Sequence, residues 1–229
     1  MDAVILAGGK GTRLRPLTDT MPKPLVPVAG RGTLLRLLDE LPDEIDHIVL
    51  VVGYLHEKIR EAVGVNHGGR AVTYVLQDPL DGTGGALRQA ESVLRSERFM
   101  VLMGDDLYIR EDLDRLVVGE RGVLVQERPA PRDIDGWKTE RGMLTAFTPL
   151  MRGESGLINL GAYVLGREWF LAAPVLVPGK IDEWSIPHAL PQLVEQRDYP
   201  VVHATFWYPC GTVEEIQTAE QALREAGRA

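Results

Sequence analysis

An α/β fold is predicted, with a mostly parallel, mixed central sheet flanked by helices and a strand-rich lobe following it. Three observations predict it. From Met1 to about position 120, short apolar runs alternate with helix-type segments, the pattern of strand–helix–strand units on a parallel sheet. Three of those runs lead into glycine-bearing turns, which such sheets carry at the carboxyl ends of their strands, where ligands bind. Beyond Arg121 the apolar runs follow one another with Pro-rich or charged segments between them, and the chain turns strand-rich.

The elements follow in order. Ala3-Val4-Ile5-Leu6 is apolar without alternation and leads into Gly8-Gly9, as in a strand buried on both faces. After a Pro-rich loop, leucines at helical spacing predict a helix from Leu34 to Leu41, closed by Pro42. Ile48 to Val52 is the second strand, Tyr54 to Val63 a helix, Val72 to Leu76 a third strand, and Gly85 to Leu94 a helix opened by glycines. Phe99 to Met103 is the fourth strand and runs directly into Gly104-Asp105-Asp106. Strands are expected over Gly122 to Gln126, Met143 to Phe147 and Leu157 to Leu165, then a helix over Pro187 to Gln196 and a strand over Val201 to Phe206. Thr212 and Glu215 stand at capping-box spacing and start the last helix.

Composition narrows the function classes. With 229 residues, 45% hydrophobic and 25% charged, the chain is long enough for one core, so a single domain over 1–229 is expected. Its net charge of −8 argues against nucleic acid as the main partner, because phosphate backbones are held by clustered Lys and Arg. No apolar run approaches the roughly 18 residues that cross a bilayer. The single cysteine, Cys210, allows no internal disulfide, and no basic-then-apolar leader precedes the first strand, so a cytoplasmic setting is expected. One basic segment opposes the acidic whole: Lys10, Arg13, Arg15 and Lys23 are accompanied between positions 10 and 23 only by Asp19. That segment can draw a small anion to one place.

It is also the segment with the most chemistry. Leu6-Ala7-Gly8-Gly9-Lys10-Gly11-Thr12-Arg13 puts three glycines within four residues after a buried strand, so that consecutive amide N–H groups can turn toward phosphate oxygens. No Gly-Lys-Ser/Thr closes the turn and no Gly-x-Gly-x-x-Gly is present, which sets aside the P-loop and dinucleotide-binding classes. With Pro22-Lys23-Pro24 following, the segment resembles the signature of the sugar-1-phosphate nucleotidylyltransferases, the family of glucose-1-phosphate thymidylyltransferases and mannose- or heptose-1-phosphate guanylyltransferases.

The resemblance implies a Rossmann-like nucleotidyltransferase domain, with about 1–120 as nucleotide-binding half and about 121–229 as sugar-binding half. It implies that Leu6, Gly8, Gly9, Gly11, Thr12 and Arg13 hold the NTP, and that Arg13 and Lys23 face the reacting phosphates as catalytic residues. In Gln77-Asp78-Pro79-Leu80-Asp81-Gly82-Thr83, Gln77, Gly82 and Thr83 correspond to the base-binding segment. Asp105 corresponds to a Mg2+ ligand, and Gly136 and Asn159 to residues at the sugar. The substrates implied are an NTP and a sugar 1-phosphate, and homo-oligomers are common in the family. A left-handed β-helix domain, carried by some relatives, is not expected after the last helix.

Two positions depart from the family pattern. Phe147-Thr148-Pro149 stands where many relatives have Glu-Lys-Pro, so Thr148 replaces the lysine that grips the sugar phosphate. Trp207-Tyr208-Pro209-Cys210-Gly211-Thr212 stands where relatives have Trp-x-Asp-x-Gly-Thr, so Pro209 replaces a second carboxylate on the metal. Asp105 alone, or Asp106 or Glu214 in place of the missing carboxylate, would then hold the ion. These departures leave open a catalytically weakened paralogue that binds nucleotide or sugar phosphate in a regulatory role. A transferase acting on a non-sugar phosphorylated alcohol such as phosphocholine is a further alternative. The five histidines show no metal-ligand spacing and are read as surface or core residues.

Overall fold

The first strand, β1 (Asp2–Ala7), is buried at every position, and only a strand with neighbours on both edges and layers on both faces buries six consecutive residues. A computed structural model of the chain, describing residues 1–131 and 133–229, shows those neighbours. After helix α1 (Thr33–Asp39) comes β2 (His47–Val52), then α2 (His56–Val63), β3 (Arg70–Leu76), α3 (Gly82–Ala90) and β4 (Arg98–Met103). β1 lies between β2 and β4, and β3 extends beyond β2, all parallel.

Helix α4 (Arg110–Val117) leads into β5 (Gly122–Pro129), β6 (Ile134–Glu140), β7 (Met143–Leu150) and the long β8 (Ser155–Gly166). Two short helices, α5 (Ile186–Ala189) and α6 (Pro191–Val194), precede β9 (Val201–His203) and the final helix α7 (Val213–Glu225). β8 joins the halves. It pairs antiparallel with β4, and also with β5 and β6, so the sheet runs β7-β6-β8-β4-β1-β2-β3 with β5 and β9 branching from β8. The sheet is therefore mixed, parallel through the first half of the chain and mainly antiparallel beyond it, as the fold class predicts.

Each face is covered by helices that bury apolar side chains, a buried leucine or isoleucine being worth about 1.5–3 kcal/mol of transfer free energy. One face packs Leu34, Leu37, Leu38, Ile59, Leu113 and Leu116 from α1, α2 and α4. The other packs Ala86, Leu87 and Ala90 from α3 with Ile186, Ala189 and Leu193 from α5 and α6.

Four expectations are corrected. Helix α4 has no counterpart in the sequence reading, because its apolar stripe is interrupted by Asp112, which is fully buried. Asp112 accepts from the N–H groups of Thr205 (2.8 Å) and Phe206 (2.9 Å) and from the Thr205 hydroxyl (2.8 Å). Those bonds also shorten the strand expected over Val201 to Phe206 to Val201–His203, since the later N–H groups turn to a carboxylate instead of a neighbouring strand. Strand β6 was absent from the sequence reading as well; it is set by a hairpin to β7 through Arg141 (φ 50°) and Gly142 (φ 78°), the two positive values of a type I′ turn. The helix expected over Pro187 to Gln196 is two helices, because Pro191 has no N–H to continue the first.

Candidate active site

The turn after β1 is shaped by close approaches that exclude side chains. A Cβ on Gly8 would stand 2.7 Å from Gln77 Oε1, and one on Gly11, at φ +63°, would stand 2.8 Å from Lys23 Cβ. The loop folds back on itself as the Thr18 hydroxyl donates to Gly11 O (2.8 Å) while Leu14 sinks into the core. Thr33, at the start of α1, places its hydroxyl between Gly104 O (3.0 Å) and Pro24 O (3.2 Å). This contact ties the Lys23 segment to the turn after β4, where the Lys23 ammonium donates to the Asp105 carboxylate.

The turn after β3 is held from both sides. Gln77 is buried, and its Nε2 donates to Asp81 Oδ1 (3.1 Å) and Gly82 O (3.0 Å). Both partners are acceptors, so the amide orientation is determined and Oε1 is turned to Gly8. Gly82 has φ +88°, and a Cβ there would lie 2.4 Å from Trp184 O. The Trp184 backbone clasps this turn, donating to Asp81 O (2.6 Å) and accepting from Gly84 N–H (2.9 Å).

These turns enclose a cavity of about 480 Å³. Of the residues singled out from the sequence, Leu6, Gly8, Gly9, Lys23, Gln77, Gly82, Thr83 and Asp105 line it, and Glu183, which no sequence motif marked, lines it too. Gly11 lies beneath Lys23, behind the wall. Arg13 lies further along, over Gly211, whose missing Cβ would meet Arg13 Nη2 at 2.7 Å and Glu215 Oε2 at 2.9 Å. Thr12 is exposed and does not line the cavity.

The family model described as Nucleotidyl transferase matches residues 2–120, the half that builds this cavity. The chain belongs to the nucleotidyl transferase family. Among curated relatives, the UTP–glucose-1-phosphate uridylyltransferase AglF of Haloferax volcanii is 30% identical over 238 residues, taking in 98% of this chain and 97% of AglF. The bifunctional protein GlmU of Methanococcus maripaludis is 33% identical over 199 residues, 85% of this chain and 47% of GlmU. The chain spans about half the length of the GlmU relatives it matches. A solved UDP-glucose pyrophosphorylase in complex with UDP-glucose shares the fold, with a TM-score of 0.79 at 19% identity over 98% of each chain.

In this nucleotidyl transferase, Gly136 and Asn159 stand apart from the cavity wall. Gly136 is buried in β6, where a Cβ would strike Leu150 Cδ1 at 2.4 Å. Asn159 donates to the Tyr163 hydroxyl (2.6 Å) and accepts from Gly161 N–H (3.1 Å), so it braces the bulge where the β8–β5 register shifts. Pro209 lies directly opposite Asp106 in a short antiparallel pairing, Tyr208–Pro209 against Asp106–Leu107. Asp106 accepts from the Trp207 indole N–H (3.1 Å). Burial first, and then the Asp105 and Glu215 charges, push its carboxyl well above the usual carboxylate range; Lys23 and the Trp207 bond only partly offset this. Burial, with the Asp106 and Asp105 charges, pushes the Cys210 thiol up as well, which leaves it a core residue and not a nucleophile.

Proposed function

We propose that this chain transfers a nucleoside monophosphate from an NTP to a sugar 1-phosphate, giving an NDP-sugar and pyrophosphate. The observation that carries the reading is the convergence on one cavity of the glycine turn after β1, Lys23, Gln77 and Asp105. Displacement at phosphorus needs cations and N–H donors where negative charge develops, and little covalent chemistry from the protein. Gly8 and Gly9 supply backbone donors, and Lys10 and Lys23 supply charge beside them. Arg13 sits at the outer end of the same loop, facing Gly211, as the further cation for the triphosphate. The attacking phosphate oxygen is already anionic, so the step needs no general base; it needs alignment.

Gln77 bears on the base. Its amide N–H groups are engaged by Asp81 and Gly82, which leaves Oε1 as its acceptor. The N–H groups of Gly82 and Thr83, in the first turn of α3, have no intrahelical acceptor. An acceptor flanked by donors fits a ring N–H next to a carbonyl, as in uracil, thymine or guanine. Adenine and cytosine present a ring acceptor at that edge and fit poorly.

Asp105 and Asp106 offer only hard oxygen donors, and the Lys23 ammonium already rests against Asp105, so a cation fits there. In our reading Asp105 is the residue that would hold Mg2+, with phosphates and water completing the shell; Pro209 has no donor atom, and Asp106 is engaged by Trp207. When bound, the ion would neutralise charge on the phosphates. Gly136 and Asn159 would border the sugar.

The test is pyrophosphate release with Mg2+, crossing ATP, CTP, GTP, UTP and dTTP against hexose and heptose 1-phosphates. Release is expected for one pair, with UTP, dTTP or GTP favoured at least roughly tenfold over ATP and CTP in kcat/KM, the discrimination that matched against unmatched buried polar groups supply. Arg13→Ala and Asp105→Ala are expected to lower kcat by roughly 100-fold or more, the scale of removing one charge-stabilising group. Full magnesium-dependent activity in Asp105→Ala would end the assignment of that residue.

A further inference from the structure

Outside the nucleotide cavity, one chain of polar side chains has no part in the chemistry described so far. His188 Nε2 lies 3.0 Å from Asp135 Oδ2, and His188 Nδ1 lies 2.6 Å from Ser185 Oγ, which also accepts from His188 N–H (3.3 Å). A carboxylate accepts only, so Nε2–H donates to Asp135, while Nδ1 and the Ser185 hydroxyl share a hydrogen bond. The His188 ring is also held by a stack, with Phe147 at 4.8 Å between centroids and Trp137 at 4.3 Å behind Phe147. Ser185 is no nucleophile despite this company: its side chain is 3% exposed and its oxygen is committed to the start of α5.

The product of the arrangement is an oriented carboxylate. Asp135 keeps 32% of its side chain exposed, and its second oxygen has no hydrogen-bond partner among the described residues. Trp137 of β6 pairs with Leu157 of β8, so Asp135 and Asn159 are the next positions along on the same sheet face. The segment that carries His188 begins at the nucleotide cavity, which Glu183 lines and whose Gly82 turn Trp184 clasps. The segment from Glu183 to His188 thus links the cavity wall to Asp135, which stands beside Asn159 in the strand register.

We propose that Asp135 binds a ring hydroxyl of the sugar 1-phosphate and that His188 is the positioning residue that aims it. A carboxylate oxygen only accepts, so the sugar must present a hydroxyl donor there, and a deoxy or O-alkylated ring loses the contact. The negative charge repels a uronic acid. This assignment rests on the transferase reading and deepens it to the sugar: a neutral ring with a free hydroxyl facing β6.

The experiment uses the nucleotide and sugar 1-phosphate pair that the wild type turns over, with the ring-deoxy analogues of that sugar as probes. Asp135→Ala is expected to raise the sugar 1-phosphate KM roughly tenfold, the scale of a charged hydrogen bond, with the NTP KM unchanged. One deoxy analogue is expected to cost the wild type roughly tenfold and to cost Asp135→Ala nothing, as for two ends of one contact. His188→Ala is expected to raise the same KM, and His188→Gln to recover it, because a carboxamide N–H replaces Nε2–H. The melting temperature of Asp135→Ala stays close to wild type, since a partly exposed polar contact contributes little stability. An unchanged sugar KM in Asp135→Ala, equal sensitivity of variant and wild type to every deoxy analogue, or a loss that tracks a fall in melting temperature would each overturn the assignment. An active wild type with indifferent variants sinks the Asp135 role alone; a wild type silent with every pair sinks the transferase reading as well.

Discussion

Asp106 is the residue whose surroundings most oppose its charge. Enclosed beside Asp105 and Glu215, it binds its proton more tightly in the folded chain than an unfolded aspartate does. The stability this contributes is full below the unfolded carboxyl pKa of about 3.9 and is lost as pH rises through the raised folded value. Asp106→Asn keeps the shape and can still accept from Trp207. It is therefore expected to gain stability relative to wild type between pH 5 and pH 8, by on the order of 1–2 kcal/mol, read from thermal melts at the two pH values. A constant difference across that range would contradict the burial argument. Asp2 shows the opposite balance. Burial disfavours its charge, but bonds from Ser96, His47 and Arg95 outweigh that and hold its carboxyl below the usual range. The contrast comes from donor supply: Asp2 Oδ2 alone accepts from Arg95 N–H, Ser96 N–H and the Ser96 hydroxyl.

At the scale of elements, α3 shows how a turn and a helix start share one constraint. Gly82 needs both its positive φ and its lack of a side chain, because the Trp184 backbone lies against it. Gly82→Ala is expected to destabilise by roughly 1–3 kcal/mol and to raise the KM for NTP more than that for the sugar 1-phosphate. Denaturant melts with parallel kinetics check it, and an alanine that leaves both unchanged would mean the turn relaxes freely. Helix α7 was legible from sequence. Thr212 accepts from Glu215 N–H (3.2 Å), yet Glu215 reaches past the cap residue to Gly211 N–H (2.7 Å), so the reciprocal bond holds the residue that faces Arg13. Helix α4 was not legible, because a buried Asp112 looks like a surface residue until the loop it caps is in place.

For the whole molecule, the net charge of −8 opposes the basic segment that we propose meets the triphosphate. Attraction of the anion is then local and is screened over about 10 Å at 0.1 M salt. Raising salt from about 0.05 M to about 0.5 M is expected to increase the KM for NTP several-fold with kcat nearly constant, because the contacts inside the cavity are shielded from solvent ions. Steady-state kinetics across a salt series checks this, and a fall in kcat with unchanged KM would place the effect elsewhere. Among the described residues no helix is long and apolar enough to cross a membrane.

The parallel half was readable because its information is local: uninterrupted apolar strands, leucines at helical spacing, and glycines in the turns that follow the strands. The same local motifs carried the family resemblance that pointed to Lys23, Gln77 and Asp105, which line one cavity. Tertiary structure alone decided the rest. Glu183 lines the cavity with residues from the turn after β1, and His188 is 53 positions from Asp135, so no spacing within a motif announces them. Strand β6 has little apolar alternation of its own and exists through its hairpin with β7. Local periodicity records what one element buries; a polar contact between distant segments leaves no period, and it is fixed only when the sheet brings them together.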